Sequence, residues 1–195
     1  MCSSRFFRKG FTLVEMLVSI AIFMSVMVVA AGSLVTIIHE DQKAQAVKTV
    51  IDNVTVAIDS MARNIRQATA GSLQCFAGGV WTTGSACSAT STQSIQFGLN
   101  GNTLIYQFVS NPTSGMGNIQ KICTTSGCGS LQNVTQSITA PTSTIAIKNL
   151  NFYLFGTGDT TKQPRVLIMV DGIAYTLGTS TEFTIQTTAS MRARQ

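Results

Sequence analysis

The sequence predicts an α+β fold, in which one very long N-terminal helix leads into and covers an antiparallel sheet formed by the C-terminal part of the chain. Three observations carry this. No proline occurs before Pro112, so nothing of that kind interrupts a helix in the first half. Apolar residues there run first without interruption and then recur at intervals of three and four. From Ile95 onward they alternate with polar ones, and Asn100-Gly101 between two such runs is a strong hairpin signal. A chain of 195 residues suits one globular domain plus one membrane segment.

The first element is short and basic. Arg5, Arg8 and Lys9 precede Gly10 with no acid among them. Phe11–Ile38 follows, 28 residues whose one charge is Glu15. As a helix it is roughly 42 Å long, and a hydrocarbon core needs only about 20 residues. The basic residues put this end in the cytoplasm and everything after Ile38 outside. Glu15 is costly there: about 2.5–3.5 kcal/mol for an Asp at a membrane centre, less near an end. Three plainer readings of this region compete. A secretory signal peptide needs an apolar core of only about 7–15 residues, although Val29-Ala30-Ala31-Gly32 offers small residues for cleavage. An ordinary signal anchor has no need of Gly10, Phe11 and Glu15 at this spacing. A lipoprotein has its cysteine after the apolar core, whereas Cys2 precedes it.

Residues 39–70 turn amphipathic. Val47, Val50, Ile51, Val54, Ile58, Met61 and Ile65 form one stripe. Lys43, Lys48, Asp52, Asp59, Arg63 and Arg66 fall mostly away from it. One helix from about Phe11 to about Ala70 results, with Gly71-Ser72 as its stop. Gly32 is its one glycine, a weak point or a place of close helix packing. His39, the sole histidine, reads as a solvated residue at the membrane exit.

Residues 71–195 form the outer domain. Gly71–Thr92 shows no firm element and reads as a stapled loop. Ile95–Leu99 and Thr103–Val109 flank the Asn-Gly turn, and Ile119–Thr124 is a shorter strand. Ile145 to Leu154 is a long strand whose phase shifts near Lys148-Asn149, the sign of a bulge. Val166–Val170 leads to Asp171-Gly172, read as a second hairpin turn, and Ile173–Leu177 and Glu182–Thr187 complete the sheet. Such a sheet has one dry face, and the stripe from Val47 to Ile65 supplies its cover.

Four of the five cysteines, Cys75, Cys87, Cys123 and Cys128, lie in the exported part, where disulfides persist. Three connectivities are open. Cys75–Cys87 and Cys123–Cys128 are favoured because both close short loops rich in Gly, Ser and Thr. A zinc knuckle needs closer spacing than Cys75 and Cys87 provide.

Arg8-Lys9-Gly10-Phe11-Thr12-Leu13-Val14-Glu15 resembles the prepilin leader of type IV pilins and type II secretion pseudopilins. The resemblance implies a type IV pilin fold, cleavage by prepilin peptidase after Gly10, methylation of the new amino terminus at Phe11, and an assembly role for Glu15. It also implies other pilin or pseudopilin subunits and an inner-membrane assembly platform as partners, with membrane lipid around the helix before assembly. Asn149-Leu150-Asn151-Phe152, Gln163-Pro164-Arg165-Val166 and Thr184-Ile185-Gln186-Thr187-Thr188-Ala189-Ser190-Met191-Arg192 are similar to segments of J-type minor pseudopilins and W-type minor pilins. The chain departs from usual pilins in lacking a proline in its membrane helix and a disulfide loop near its C-terminus.

A filament subunit is therefore the expected function. Two others compete. A DNA-capturing pilin needs basic residues free of acids. Here Asp52 and Asp59 stand between Lys43, Lys48, Arg63 and Arg66, and the part after Gly10 is almost neutral: the 13 Lys and Arg less Arg5, Arg8 and Lys9 leave 10 against 8 Asp and Glu, or +2. An anchored enzyme lacks a Ser/His/Asp set or a metal motif to build on. No catalytic residue, metal or cofactor is expected. Asn53-Val54-Thr55 and Asn133-Val134-Thr135 match the glycosylation sequon weakly in a chain this rich in Thr.

Overall fold

The structure is a computed structural model that describes residues 10–69, 71–83, 87, 91–111, 116–139, 145–157, 161–176 and 179–191. Cys2, Arg5, Arg8, Lys9, the expected helix end at Ala70, Leu177 and Arg192 lie outside them. Two compact units meet between Ala44 and Gln45. A single helix, α1, runs Leu13–Gln67 and contributes to both.

In the first unit α1 is bare. Every described residue up to Glu40 is exposed, with Val28 and Val29 each at 73%. The helix is long and apolar enough to cross a membrane. Its hydroxyls are satisfied within it. Ser19 donates to the Glu15 carbonyl at 2.7 Å, Ser25 to Ile22 at 2.7 Å, Ser33 to Ala30 at 2.9 Å and Thr36 to Gly32 at 3.2 Å. Such back-bonding lets polar side chains sit in an apolar medium without an unpaired donor.

In the second unit the remainder of α1 buries one face. Val50, Val54, Ala57, Ile58, Met61, Ala62 and Ile65 are buried, and Val47 is partly so. Ile51, expected in the stripe, is 38% exposed. It stands about 100° around the helix from Val50, at the margin of the buried face. Ala57 and Ala62 take the inner positions instead, where small side chains admit a close approach.

The sheet beneath is antiparallel. Its strands are β1 Gln74–Ala77, β2 Val80–Thr82, β3 Ser94–Leu99, β4 Asn102–Ser110, β5 Gly117–Cys123, β6 Thr135–Ser137, β7 Ile145–Phe155, β8 Arg165–Thr176 and β9 Thr179–Ser190. Among the described residues the order is β2-β1-β3-β4-β5-β7-β8-β9, with β6 on β5. The β3–β4 hairpin turns at Asn100-Gly101, both at positive φ (50° and 80°), as a two-residue turn of this kind demands. The phase shift in β7 is a bulge between Ile147 and Asn149. There Lys148 donates to Glu182 of β9 at 2.7 Å. The bond raises the Lys148 ammonium and lowers the Glu182 carboxyl from their ordinary ranges. Both are fully solvated, so the pair adds little stability, and that little is lost as pH falls through the lowered Glu182 range.

Two expectations need correction. Gly71–Thr92 is not a featureless loop: β1 and β2 pair there as a small hairpin through Gly78-Gly79. Three- and four-residue strands are too short to show alternation in sequence. Asp171-Gly172 is not a turn but lies inside β8, opposite Phe183 and Thr184 of β9. A Cβ at Gly172 would stand 2.5 Å from the Phe183 ring and 2.9 Å from the Ala146 carbonyl oxygen. The glycine makes room for a ring rather than for a reversal. Asp171 accepts from the Thr184 hydroxyl at 2.8 Å. The two strands stay paired as far as Thr176 and Thr179.

Helix and sheet share one core. Met61 and Ile65 pack in a cluster with Ile95, Phe97, Tyr106, Leu150, Phe152 and Ile168. Tyr106 is buried, and its hydroxyl accepts from the Asn64 amide at 2.6 Å. Burial raises its phenol above the ordinary range, against a lowering by bonds with Asn64 and Ser60. Tyr106→Phe should cost about 1–2 kcal/mol, because the Asn64 amide loses its partner. Met61→Ala should cost about 2–5 kcal/mol through the cavity it leaves. Urea unfolding of the two variants tests the ordering; equal losses would mean that the helix contact is not a tightly packed one.

This second unit, with the amphipathic half of α1 on an antiparallel sheet, makes the molecule an α+β, type IV pilin-like fold.

Candidate functional site

The leader junction is built by the start of α1. Gly10, Phe11 and Thr12 are not helical, and the helix opens at Leu13, two residues later than expected. Thr12 explains the delay. The Glu15 backbone N–H donates to the Thr12 hydroxyl at 3.3 Å, and the Met16 N–H to the Thr12 carbonyl at 3.2 Å. Thr12 is thus the N-cap, and Thr12-Leu13-Val14-Glu15 has the spacing of a capping box. The sequence reading singled out Glu15 and passed over Thr12, although a Thr three residues before a Glu at the head of an apolar run was the available signal.

Gly10 and Phe11 are exposed, Phe11 at 74%. Among the described residues, nothing beyond its chain neighbours stands within 4 Å of where a Gly10 side chain would be. Gly10 and Phe11 lie ahead of the helical hydrogen bonds of α1, which begin at Thr12. Glu15 lies in the first turn of α1, where a negative charge complements the positive end of the helix dipole.

In the second unit Cys75, Cys87, Cys123 and Cys128 form two disulfides. Cys75–Cys87 joins β1 to the segment after β2, with Cα atoms 5.6 Å apart. Cys123–Cys128 joins the end of β5 to the 3-10 turns at Ser126–Leu131, with Cα atoms 6.1 Å apart. Replacing both members of the first pair by Ser should cost about 3 kcal/mol, and of the second about 2 kcal/mol, since the loop closed is shorter. Non-reducing peptide mapping checks the pairing, and a bridge running from one pair to the other would overturn it.

The basic residues of α1 gather no acid-free patch. Asp59, Arg63, Arg66 and Gln67 line one shallow depression together. A cavity of about 240 Å³ beside the Cys123–Cys128 loop is walled by Leu99, Leu104 and Leu131, with Lys121 and Gln136 among its polar groups. Among the described residues no three His, Cys, Asp or Glu side chains converge as metal ligands would.

Comparison with curated proteins and with solved structures finds no match. Residues 5–31 match the family model described as Prokaryotic N-terminal methylation motif, so the chain carries a type IV prepilin-like leader and an apolar helix that together fit a single-pass, membrane-anchored pilin-like precursor.

Proposed function

We propose that this chain is a structural, minor subunit of a type IV pilus or a type II secretion pseudopilus. Prepilin peptidase cuts between Gly10 and Phe11 and methylates Phe11. Residues 11–38 then hold the subunit in the inner membrane, with residues 71–195 outside the cytoplasm and residues 39–70 as the helix that carries them. Assembly moves the apolar helix from lipid into a filament, where it meets other pilin or pseudopilin subunits. Low abundance, as in the J-type and W-type subunits it resembles, fits the departures from usual pilins already noted.

The observation that carries this reading is the junction itself. A non-helical, exposed Gly-Phe peptide is followed at once by a capped helix, and that helix leaves every large apolar side chain from Leu13 to Ile38 uncovered. So much exposed apolar surface needs lipid or other helices around it. A photo-crosslinking residue in place of Val18 tests the reading in cells. Cross-links to lipid before assembly and to other pilin-type helices after it are expected. Cross-links to lipid alone under all conditions would make the segment a plain anchor.

A further inference from the structure

The face of the sheet turned away from α1 takes no part in the function proposed above. Strand alternation sends Cys75, Ile95, Tyr106 and Ile119 into the core and their chain neighbours to the other side. The strand registers align these neighbours in one row across six strands. Trp81 pairs with Phe76, Ser94 with Gln107, Gln107 with Gln120, and Gln120 with Ser137. The pairing of Cys75 with Ile95 sets Phe76 beside Ser94 and joins the two halves. At about 4.8 Å per strand step the row is roughly 24 Å long.

It carries no charge, although the row beside it on the same face holds Ile105 and Ile122 between Gln96 and Thr135. The one charged residue of β1–β6 is Lys121, which pairs with the buried Tyr106 and so belongs to the core side. The outer side of these strands is therefore without charge, unlike the outer side of β8 and β9 with Arg165, Asp171 and Glu182. Amides replace the charges and hold one another in place. Gln96 donates to Gln74, Gln107 to Gln120 at 3.3 Å, Gln120 to Asn118 at 3.5 Å and Asn118 to the Ser137 hydroxyl at 3.3 Å. An amide has two donor hydrogens and two acceptor lone pairs, so one or two such bonds fix its orientation and leave further donors and acceptors facing outward. At the β2 end Phe76 and Trp81 form an aromatic platform, with ring centroids 5.2 Å apart and planes at 59°. Phe76 is 44% exposed.

We propose that this face binds a neutral, extended polysaccharide. Sugar hydroxyls both donate and accept, as side-chain amides do, and the apolar face of a sugar ring packs on an aromatic ring. The match in charge selects the class. Nucleic acid or an acidic polysaccharide requires cations that this face lacks. A lipid surface would leave the amide row without partners.

Trp81 is the one tryptophan of the chain, so its emission reports on the platform directly. The test uses the full chain in a zwitterionic detergent without a sugar headgroup. Cellohexaose and chitohexaose are the neutral probes, and a heparin hexasaccharide is the acidic one. A saturable change in Trp81 emission is expected with a neutral hexasaccharide, with the same affinity at low and high salt. By calorimetry Trp81→Ala and Gln107→Leu should each weaken binding about tenfold, with thermal unfolding unchanged because both side chains lie outside the core. Gln120→Leu serves in place of a variant that unfolds. Three results would overturn the proposal: no saturable response to either neutral probe, tighter and salt-sensitive binding of the heparin fragment, or binding that none of these substitutions weakens. Shielding of Trp81 from acrylamide by another subunit on assembly would also overturn it, as the face would then be a protein interface. The binding measurements need neither processing nor filament incorporation, so their failure leaves the assembly reading untouched.

Discussion

Intact-mass analysis of the protein purified from membranes of cells with a prepilin peptidase should show the loss of residues 1–10 and one added methyl group on Phe11. The expected effect of Gly10→Ala is close to total: most of the chain should remain unprocessed, with the anchor still inserted. The structure makes this variant informative. Among the described residues no atom beyond the chain neighbours stands within 4 Å of the new methyl group, and Gly10 lies outside α1. The substitution therefore disturbs neither the helix cap at Thr12 nor the core, and a failure of cleavage reports on recognition by the peptidase. A mature chain that began at Gly32 would instead make the N-terminus an ordinary signal peptide.

The second large effect concerns Glu15. In the proposed topology it lies near the cytoplasmic face of the bilayer, where water reaches it. In the proposed filament it needs a cation, which the amine created at Phe11 of a neighbouring subunit would supply. Two unit charges about 4 Å apart attract by about 4 kcal/mol at an effective dielectric of 20, before desolvation is subtracted. A buried charge without its partner is strongly unfavourable. The attraction is thus enough to select a register and too small to hold a filament, which falls to the apolar side chains of Leu13–Ile38. Glu15→Ala should leave cleavage, insertion and the outer domain intact and sharply reduce co-purification with partner subunits.

The capping box refines this test. The Thr12 hydroxyl accepts from the Glu15 backbone, a bond that Ala at 15 preserves. Glu15→Gln keeps the box spacing as well and removes the charge alone. Equal loss of incorporation in the Ala and Gln variants is expected of an ion pair. Incorporation retained by Gln and lost by Ala would assign the effect to the helix start instead.

Whatever depends on a local pattern was legible in the chain. The leader motif, the continuous apolar run and the absence of proline are properties of consecutive residues, and they yield the long helix and its bare apolar half. The three-and-four spacing named Val50, Val54, Ile58, Met61 and Ile65 as the inner face, and these are buried. Asn100-Gly101 turns as a two-residue hairpin because few other residues adopt positive φ twice in succession. The phase shift at Lys148 is a bulge because alternation has a strict period of two.

What only the tertiary structure decided are the places where distant segments meet. Asp-Gly reads as a turn wherever it occurs. At 171–172 it continues a strand, because the ring of Phe183, eleven residues away, occupies the space a side chain would fill. Ile51 fits the stripe by spacing yet stays exposed, since the margin of a buried face is set by what lies opposite. β1 and β2 exist because β3 offers an edge to pair with, a gain in hydrogen bonds that no four-residue pattern can announce. The uncharged row from Trp81 to Ser137 is of the same kind. Its members are scattered along the chain from Phe76 to Ser137 and become one surface only when strand registers align them. Sequence periodicity records how each segment divides between inside and outside; which residues become neighbours across strands is settled by register, a property of pairs of segments.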